Sequence, residues 1–399
     1  MSEPYAPTLE AALARIAAVR PAAYARTRNA LDGAVSGLSP YISHGIVSLA
    51  EVLAGVAAHH RLDMQHKFVY ELGWRAYFRH VWQQHGDGIL RSLHEGPLPD
   101  SAYATELPAD IRQAQTGVPV IDEAVRTLYR SGMLHNHARM WLASYIVHLR
   151  HVHWRAGADW LYGHLLDGDL ASNHLSWQWV AGTGSRKPYL FNAENVARYA
   201  PAAWHSPGSV IDTSYDALDL LARQPWPGVA ASPAGAATDE PLLHDSPPAA
   251  LAATAPSATD VAGRDVWLVH PWSLGLLPPA LPADTLVLGL FVDEFHWAWP
   301  WSERRWHFVG RRMAELADRL WQGDAAAIGS ALASARSVRS VAEPHLEAWL
   351  PRWAACEPAP ALFPPVARRC DSFSQWWTHA SRGLHSAADL LAVNEVPAW

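Results

Sequence analysis

Asp167 and Asp169 flank a glycine, Asn173 follows one turn later, and Trp177 and Trp179 come next. The whole stretch reads D-G-D-L-A-S-N-H-L-S-W-Q-W-V-A-G-T-G, from Asp167 to Gly184. Upstream, Gly132 to Trp141 reads G-M-L-H-N-H-A-R-M-W and puts an amide, a guanidinium and a thioether within Asn136 to Met140. Each residue type has a plain structural use, since Trp fills cores and Asp caps helices. Together, carboxylates, amides, Arg and paired indoles suit a buried, flat ligand with polar edges that stacks and accepts hydrogen bonds. A flavin has that shape.

Helices must position these groups. Leu9, Ala12, Leu13, Ile16 and Val19 form an apolar stripe, which predicts a helix over 7–22. Further helices are expected over 48–58, 67–84, 121–129, 135–151 and 160–166, with Gly132 closing one of them. The segment G-A-V-S-G-L-S-P-Y-I, Gly33 to Ile42, reads as a turn opening a helix, with Ser36 and Ser39 as candidate N-caps. Nothing in residues 1–204 alternates with period two over a useful length, so this part reads as all-helical.

The motifs H-N-x-x-R-M from His135, W-R-x-G from Trp154 and D-G-D-L-A-x-N-x-x-x-W-Q-W from Asp167 occur in that order. With E-L-G-W-R-A-Y-F-R-H, Glu71 to His80, they resemble the FAD domain of the photolyase and cryptochrome family, from about Tyr24 to Pro201. The resemblance implies FAD as cofactor. It implies Ser36, Leu38 and Ser39 at the diphosphate, with Arg75 supplying charge, and Asn136, Arg139, Asp167, Asp169 and Asn173 lining the cofactor. Val35 stands where family members commonly have a threonine, which removes one hydroxyl. Asn173 matches the position beside the flavin N5.

The same resemblance implies light-driven repair of cyclobutane pyrimidine dimers in ultraviolet-damaged DNA, with a cryptochrome-like sensor lacking repair as the rival. Glu71, Trp74, Asn136, Met140 and Trp179 match the lesion pocket. Trp177 and Trp154 match the inner two members of the family's electron-donating tryptophan chain. Tyr103 falls near the outer member, with Trp82 and Trp141 as alternatives. His137 replaces an arginine common in bacterial repair enzymes, and the loop carrying Arg186 and Lys187 is shorter than usual. The first weakens one expected DNA contact, while Arg186 and Lys187 could still meet phosphate.

The chain of 399 residues is long enough for two domains. Residues 205–262 are rich in Ala, Pro, Ser and Asp and predict a flexible linker, with a short helix at 215–223. From 263 to 399, D-V-W-L-V-H-P and T-L-V-L-G-L-F-V-D-E-F read as buried strands, followed by helices over 302–322 and 325–333 and a third strand at 338–341. The expected fold is therefore multi-domain, an all-α domain over 1–204 and a smaller α/β domain with a parallel sheet. The latter faintly resembles the family's antenna domain, displaced to the C-terminal side. No residue there names an antenna pigment, and a purely structural domain is an equal reading.

Residues 1–204 hold 18 Lys and Arg against 17 Asp and Glu, a balance of +1, so of the net charge of −7 the remainder carries −8. That balance argues against a surface generally coated by nucleic acid, while leaving a local basic face open. Two cysteines supply neither a four-cysteine cluster nor a disulfide framework, so no metal is expected. There is no apolar run of about 18 residues and no signal-peptide pattern. The expectation is a cytoplasmic protein without membrane contact; the sequence names no protein partner.

Overall fold

The computed structural model describes residues 5–225, 228–232 and 236–393. The chain forms two compact units, each assembled from separate stretches of sequence. One comprises Arg20–Val35 and Phe78–Pro241; the other comprises Met1–Val19, Ser36–Tyr77 and Leu242–Trp399. We label the longer elements in chain order. The helices up to the sheet are α1 Leu9–Ala17, α2 Leu49–Ala57, α3 Lys67–His85, α4 Pro119–Ser131, α5 Asn136–Ser144, α6 Trp154–His164, α7 Leu170–Ala181 and α8 Tyr215–Arg223. Then come β1 Asp265–Val269, β2 Leu286–Val292, α9 Glu303–Leu316, β3 Arg319–Gly323, α10 Ala325–Leu332, β4 Ser337–Val341, β5 Ala355–Glu357, α11 Phe373–Ala380 and α12 Ala387–Val393.

The first unit is helical. Its core gathers Ile121, Val125 and Leu128 of α4, Trp141 and Leu142 of α5, Trp154, Trp160 and Leu161 of α6, and Trp177 and Val180 of α7. α4 ends where Gly132 takes a left-handed conformation, as its sequence predicts. α5 is shorter than the expected 135–151, because Tyr145–Leu149 winds into one wider π-type turn. α6 begins at Trp154, six residues before the expected start.

The expected loose linker of 205–262 is pinned to this unit over its part before Leu242; from Leu242 on it belongs to the other unit. Val229 N–H donates to Leu149 (2.7 Å) and Thr238 N–H to Gln113 (2.8 Å). The Glu240 carboxylate accepts from Arg112 (2.7 Å) and from the Trp160 indole (2.9 Å), and lies 3.3 Å from His164. Composition predicted slack because the segment has little to bury. What holds it is backbone pairing and one carboxylate shared by three side chains.

The second unit contains the sheet, of order β3-β2-β1-β4-β5 with every neighbour parallel. β2 is buried along its whole length, as a sheet covered on both faces requires. The helix expected over 302–322 stops at Leu316, and Arg319–Gly323 is a strand instead. Asp318 makes the switch: its N–H donates to Val287 (2.8 Å) and its carboxylate accepts from Val287 N–H (2.9 Å).

Residues 36–77 pack with the sheet rather than completing an N-terminal domain of 1–204. His44 Nδ1 lies 2.7 Å from the Pro271 carbonyl, and Leu274 N–H donates back to His44 (3.1 Å). α2 carries a capping box between Ser48 and Glu51. Among the described residues no helix is long and apolar enough to cross a membrane.

Candidate functional site

The expected site residues fall in both units. Ser36, Leu38, Ser39, Glu71, Trp74 and Arg75 belong to the unit with the sheet; Asn136, Arg139, Met140, Trp154, Asp167, Asp169, Asn173, Trp177 and Trp179 belong to the helical unit.

In the helical unit, Asp169 is the N-cap of α7. Its Oδ1 accepts from Ser172 N–H (2.8 Å) while Oδ2 pairs with Arg79 (2.7 Å). A carboxylate suits that place because the first turn exposes N–H groups and partial positive charge. Asp167 accepts from Arg139 through both oxygens at 2.9 Å, and Arg139 Nε donates to the Leu134 carbonyl (2.8 Å). The Asp167 side chain is 4% exposed and Arg139's is 24%, so the pair is buried mainly on the carboxylate side. Arg79 is the member that the sequence reading left without a role. Its position one turn after Arg75 on α3 is the signal that could have found it.

Asn173 and Trp177, four residues apart, share the inner face of α7. The Asn173 amide nitrogen donates to the Ala158 carbonyl (2.8 Å), which orients the side chain. Trp177 is 2% exposed and lies against Gly157, where an added Cβ would stand 2.4 Å from the ring. Gly157 sits one turn after Trp154 in α6, and the buried Trp154 indole donates to Ser92 Oγ (3.0 Å). Trp179 is turned outward and 39% exposed.

On α5, the exposed Asn136 Nδ2 is 3.7 Å from Met140 Sδ. His137 is held by its own unit: Nδ1 lies 2.8 Å from the Asn29 carbonyl and Nε2 lies 3.3 Å from the Tyr189 hydroxyl. The exposed Arg186 and Lys187 remain the basic pair of the short loop. Of the three outer candidates, Tyr103 lies beside His153, itself next to Trp154. Its ring centroid is 6.3 Å from His153, which is 5.6 Å from Trp154. Trp141 instead packs on His137 and donates to Asn195 (3.1 Å), while Trp82 lies under Arg79.

In the other unit, Ser36 and Ser39 do not cap the short helix Ser39–Ser43. Leu38 holds the cap position without a side-chain bond, and Ser36 Oγ only approaches Leu38 N–H at 3.4 Å. Arg75 donates to Ser43 Oγ (3.1 Å). Trp74 stacks on Phe373 of α11, with centroids 4.1 Å apart and planes 14° apart.

Residues 68–203 match the family described as the FAD binding domain of DNA photolyase. These residues form an FAD-binding domain similar to that of the photolyase and cryptochrome family. Its cofactor is FAD. The donor set fits: two buried carboxylates each tied to an Arg, and an oriented amide, can meet a ring system whose edge carries both N–H and carbonyl groups. The chain is 38% identical over 155 residues to a deoxyribodipyrimidine photo-lyase of Streptomyces griseus, spanning 38% of this chain and 33% of that one. It is 32% identical over 188 residues to a cryptochrome DASH of Gloeobacter violaceus, covering 44% and 37% of the two chains. The crystal structure of a Synechocystis cryptochrome aligns with a TM-score of 0.44 and 29% identity, over 48% of this chain and 43% of that one. The chain thus spans about a third of the length of the curated relatives it matches.

Proposed function

We propose that this chain is a light-dependent FAD flavoprotein that repairs cyclobutane pyrimidine dimers in DNA, a deoxyribodipyrimidine photolyase-like lyase. One observation carries the reading. α7 presents Asn173 and the buried Trp177 on its inner face and the exposed Trp179 two residues on. A single rigid helix thereby joins an interior redox residue to an outward aromatic surface that can stack on a base.

Bound FAD supplies light absorption and one-electron chemistry. The chain's residues bind, orient and exclude water. Arg139 and Arg79 hold the Asp167 and Asp169 carboxylates in place. With its amide nitrogen spent on Ala158, Asn173 has its carbonyl oxygen to accept from a ring N–H without bringing charge. Ser36, Leu38, Ser39 and Arg75 serve the diphosphate. Trp177 and Trp154 are the buried electron donors. Trp179, Trp74, Glu71, Asn136 and Met140 receive the dimer, with Met140 as an adaptable apolar wall. Damaged DNA reaches such a pocket by flipping the lesion out of the stack.

A second reading, a blue-light sensor without repair, draws support from two contacts. His137 is engaged by Asn29 and Tyr189, and Trp74 is stacked on Phe373. The deciding assay is loss of thymine dimers from irradiated DNA under blue light by the reduced protein. Glu71→Ala should lower the yield by about tenfold or more without emptying the flavin site, the effect of removing a hydrogen bond to a charged group. Wild type that binds FAD and photoreduces, yet removes no dimer, would replace repair with sensing.

A further inference from the structure

α11 lies along one face of α3. Phe373 stacks on Trp74 and meets Tyr70 edge-on, with centroids 4.7 Å apart. Trp377 meets Tyr70 at 5.0 Å and crosses Gly73 so closely that a Cβ there would fall 2.5 Å from the indole. Tyr77 contacts both Phe373 and Trp376. Phe373, Trp376 and Trp377 are all buried, the two indoles also packing on Phe363. A second tether follows: Met64 N–H donates to His385 (3.1 Å), and Ala387 N–H to Leu62 (2.9 Å).

The docking leaves one polar group unserved. Trp377 Nε1 is buried and has no hydrogen-bond partner among the described residues. A desolvated donor without an acceptor costs free energy that exposure to water returns. The contact is therefore wide and aromatic, yet carries a penalty that undocking relieves.

We propose that α11 is a removable cover, with Phe373 occupying the face of Trp74 on which a flipped-out base stacks, so that damaged DNA and α11 compete for the same indole. The inference rests on the reading of Trp74 as a lesion-facing residue. A phenyl ring and a nucleobase use the same near-parallel stacking on an indole, and one face accepts one of them. Phe373 thereby sets how readily the site admits DNA, and residues 381–393, tethered to 62–64, keep the helix close while it is displaced.

The test uses the full-length FAD-loaded protein in the dark and a labelled duplex bearing one thymine dimer, read by fluorescence anisotropy. Phe373→Ala and Phe373→Leu, the latter retaining most of the apolar volume, should bind about threefold to tenfold tighter than wild type, the worth of one aromatic stack. Equal or weaker binding by a variant with wild-type melting and FAD content overturns the cover and leaves repair standing. No binding by any form overturns both readings. Should both variants misfold, amide exchange of wild type decides. Loss of protection over 373–380 at saturating dimer DNA supports the cover, and retained protection overturns it.

Discussion

Trp177 rests on the backbone of Gly157, with no room for even one added carbon between helices α7 and α6. Ala for Gly within a helix ordinarily stabilises by about 1 kcal/mol. Here overpacking of about 1–3 kcal/mol opposes it. Gly157→Ala should lower the melting temperature and slow flavin photoreduction by shifting Trp177. Trp177→Phe, with no shift of Gly157 required, should slow photoreduction while FAD stays bound. Bleaching of the flavin band under blue light with a steady reductant measures both. An unchanged rate in Trp177→Phe would take Trp177 off the route.

We propose Tyr103 as the outer donor of the electron route. Burial pushes its phenol up to about 12, so it stays protonated near neutrality, and His153 stands between it and Trp154. Tyr103→Phe keeps the ring and removes the hydroxyl whose proton must leave on oxidation. The expected result is a shorter-lived charge-separated state after a light flash, with unchanged melting. Transient absorption matching wild type would place the outer donor elsewhere.

The Arg139–Asp167 pair should be needed for both fold and cofactor. Asp167→Asn leaves Arg139 with the Leu134 carbonyl but without its counter-charge. Removing one partner of a buried pair costs about 3–5 kcal/mol, and the partial exposure of Arg139 lowers that to roughly 2–3 kcal/mol. Denaturant midpoints and FAD absorbance per chain check this. Full FAD content at wild-type stability would make the pair dispensable.

Acid should destabilise the helical unit before carboxylates alone would. Burial lowers His148 to about 4, and burial, then the charges of His137 and Arg139, lower His135 to about 4. An unfolded histidine takes its proton near 6.5, so between these values the unfolded state holds protons the folded state refuses. The contribution is complete above about pH 6.5 and is lost as pH falls toward 4. For the fully buried His148 it is on the order of 3 kcal/mol. Urea midpoints from pH 7 to 4 should fall, and fall less in a folded His148→Gln. Parallel curves would show that His148 is not the titrating group.

The sequence made the helical part, the parallel sheet and the family motifs legible, because apolar periodicity and ordered motifs are local. Helix starts were harder. α5 and α6 are capped by His135 and His153, whose Nδ1 accepts from the N–H two residues on at 3.1 and 3.2 Å. Histidine is not among the usual capping residues, so α6 was expected to begin at Trp160. The strand at Arg319–Gly323 was hidden because its start depends on Asp318 finding Val287. Glu240 looked like linker because its three partners lie on distant helices. The stacking of Phe373 on Trp74 had no local signal at all.

Assembly of the second unit from Met1–Val19, Ser36–Tyr77 and Leu242–Trp399 has a consequence during synthesis. α1, α2 and the start of α3 leave the ribosome early, carrying Val52, Leu53, Phe68 and Val69, all destined for burial. The residues that complete their unit are translated only later, on the order of tens of seconds at ordinary elongation rates. Meanwhile the stretch Phe78–Pro241 can condense. The nascent chain thus carries an unfinished greasy leader that needs shielding, and production ending near Pro241 would leave it uncovered for good.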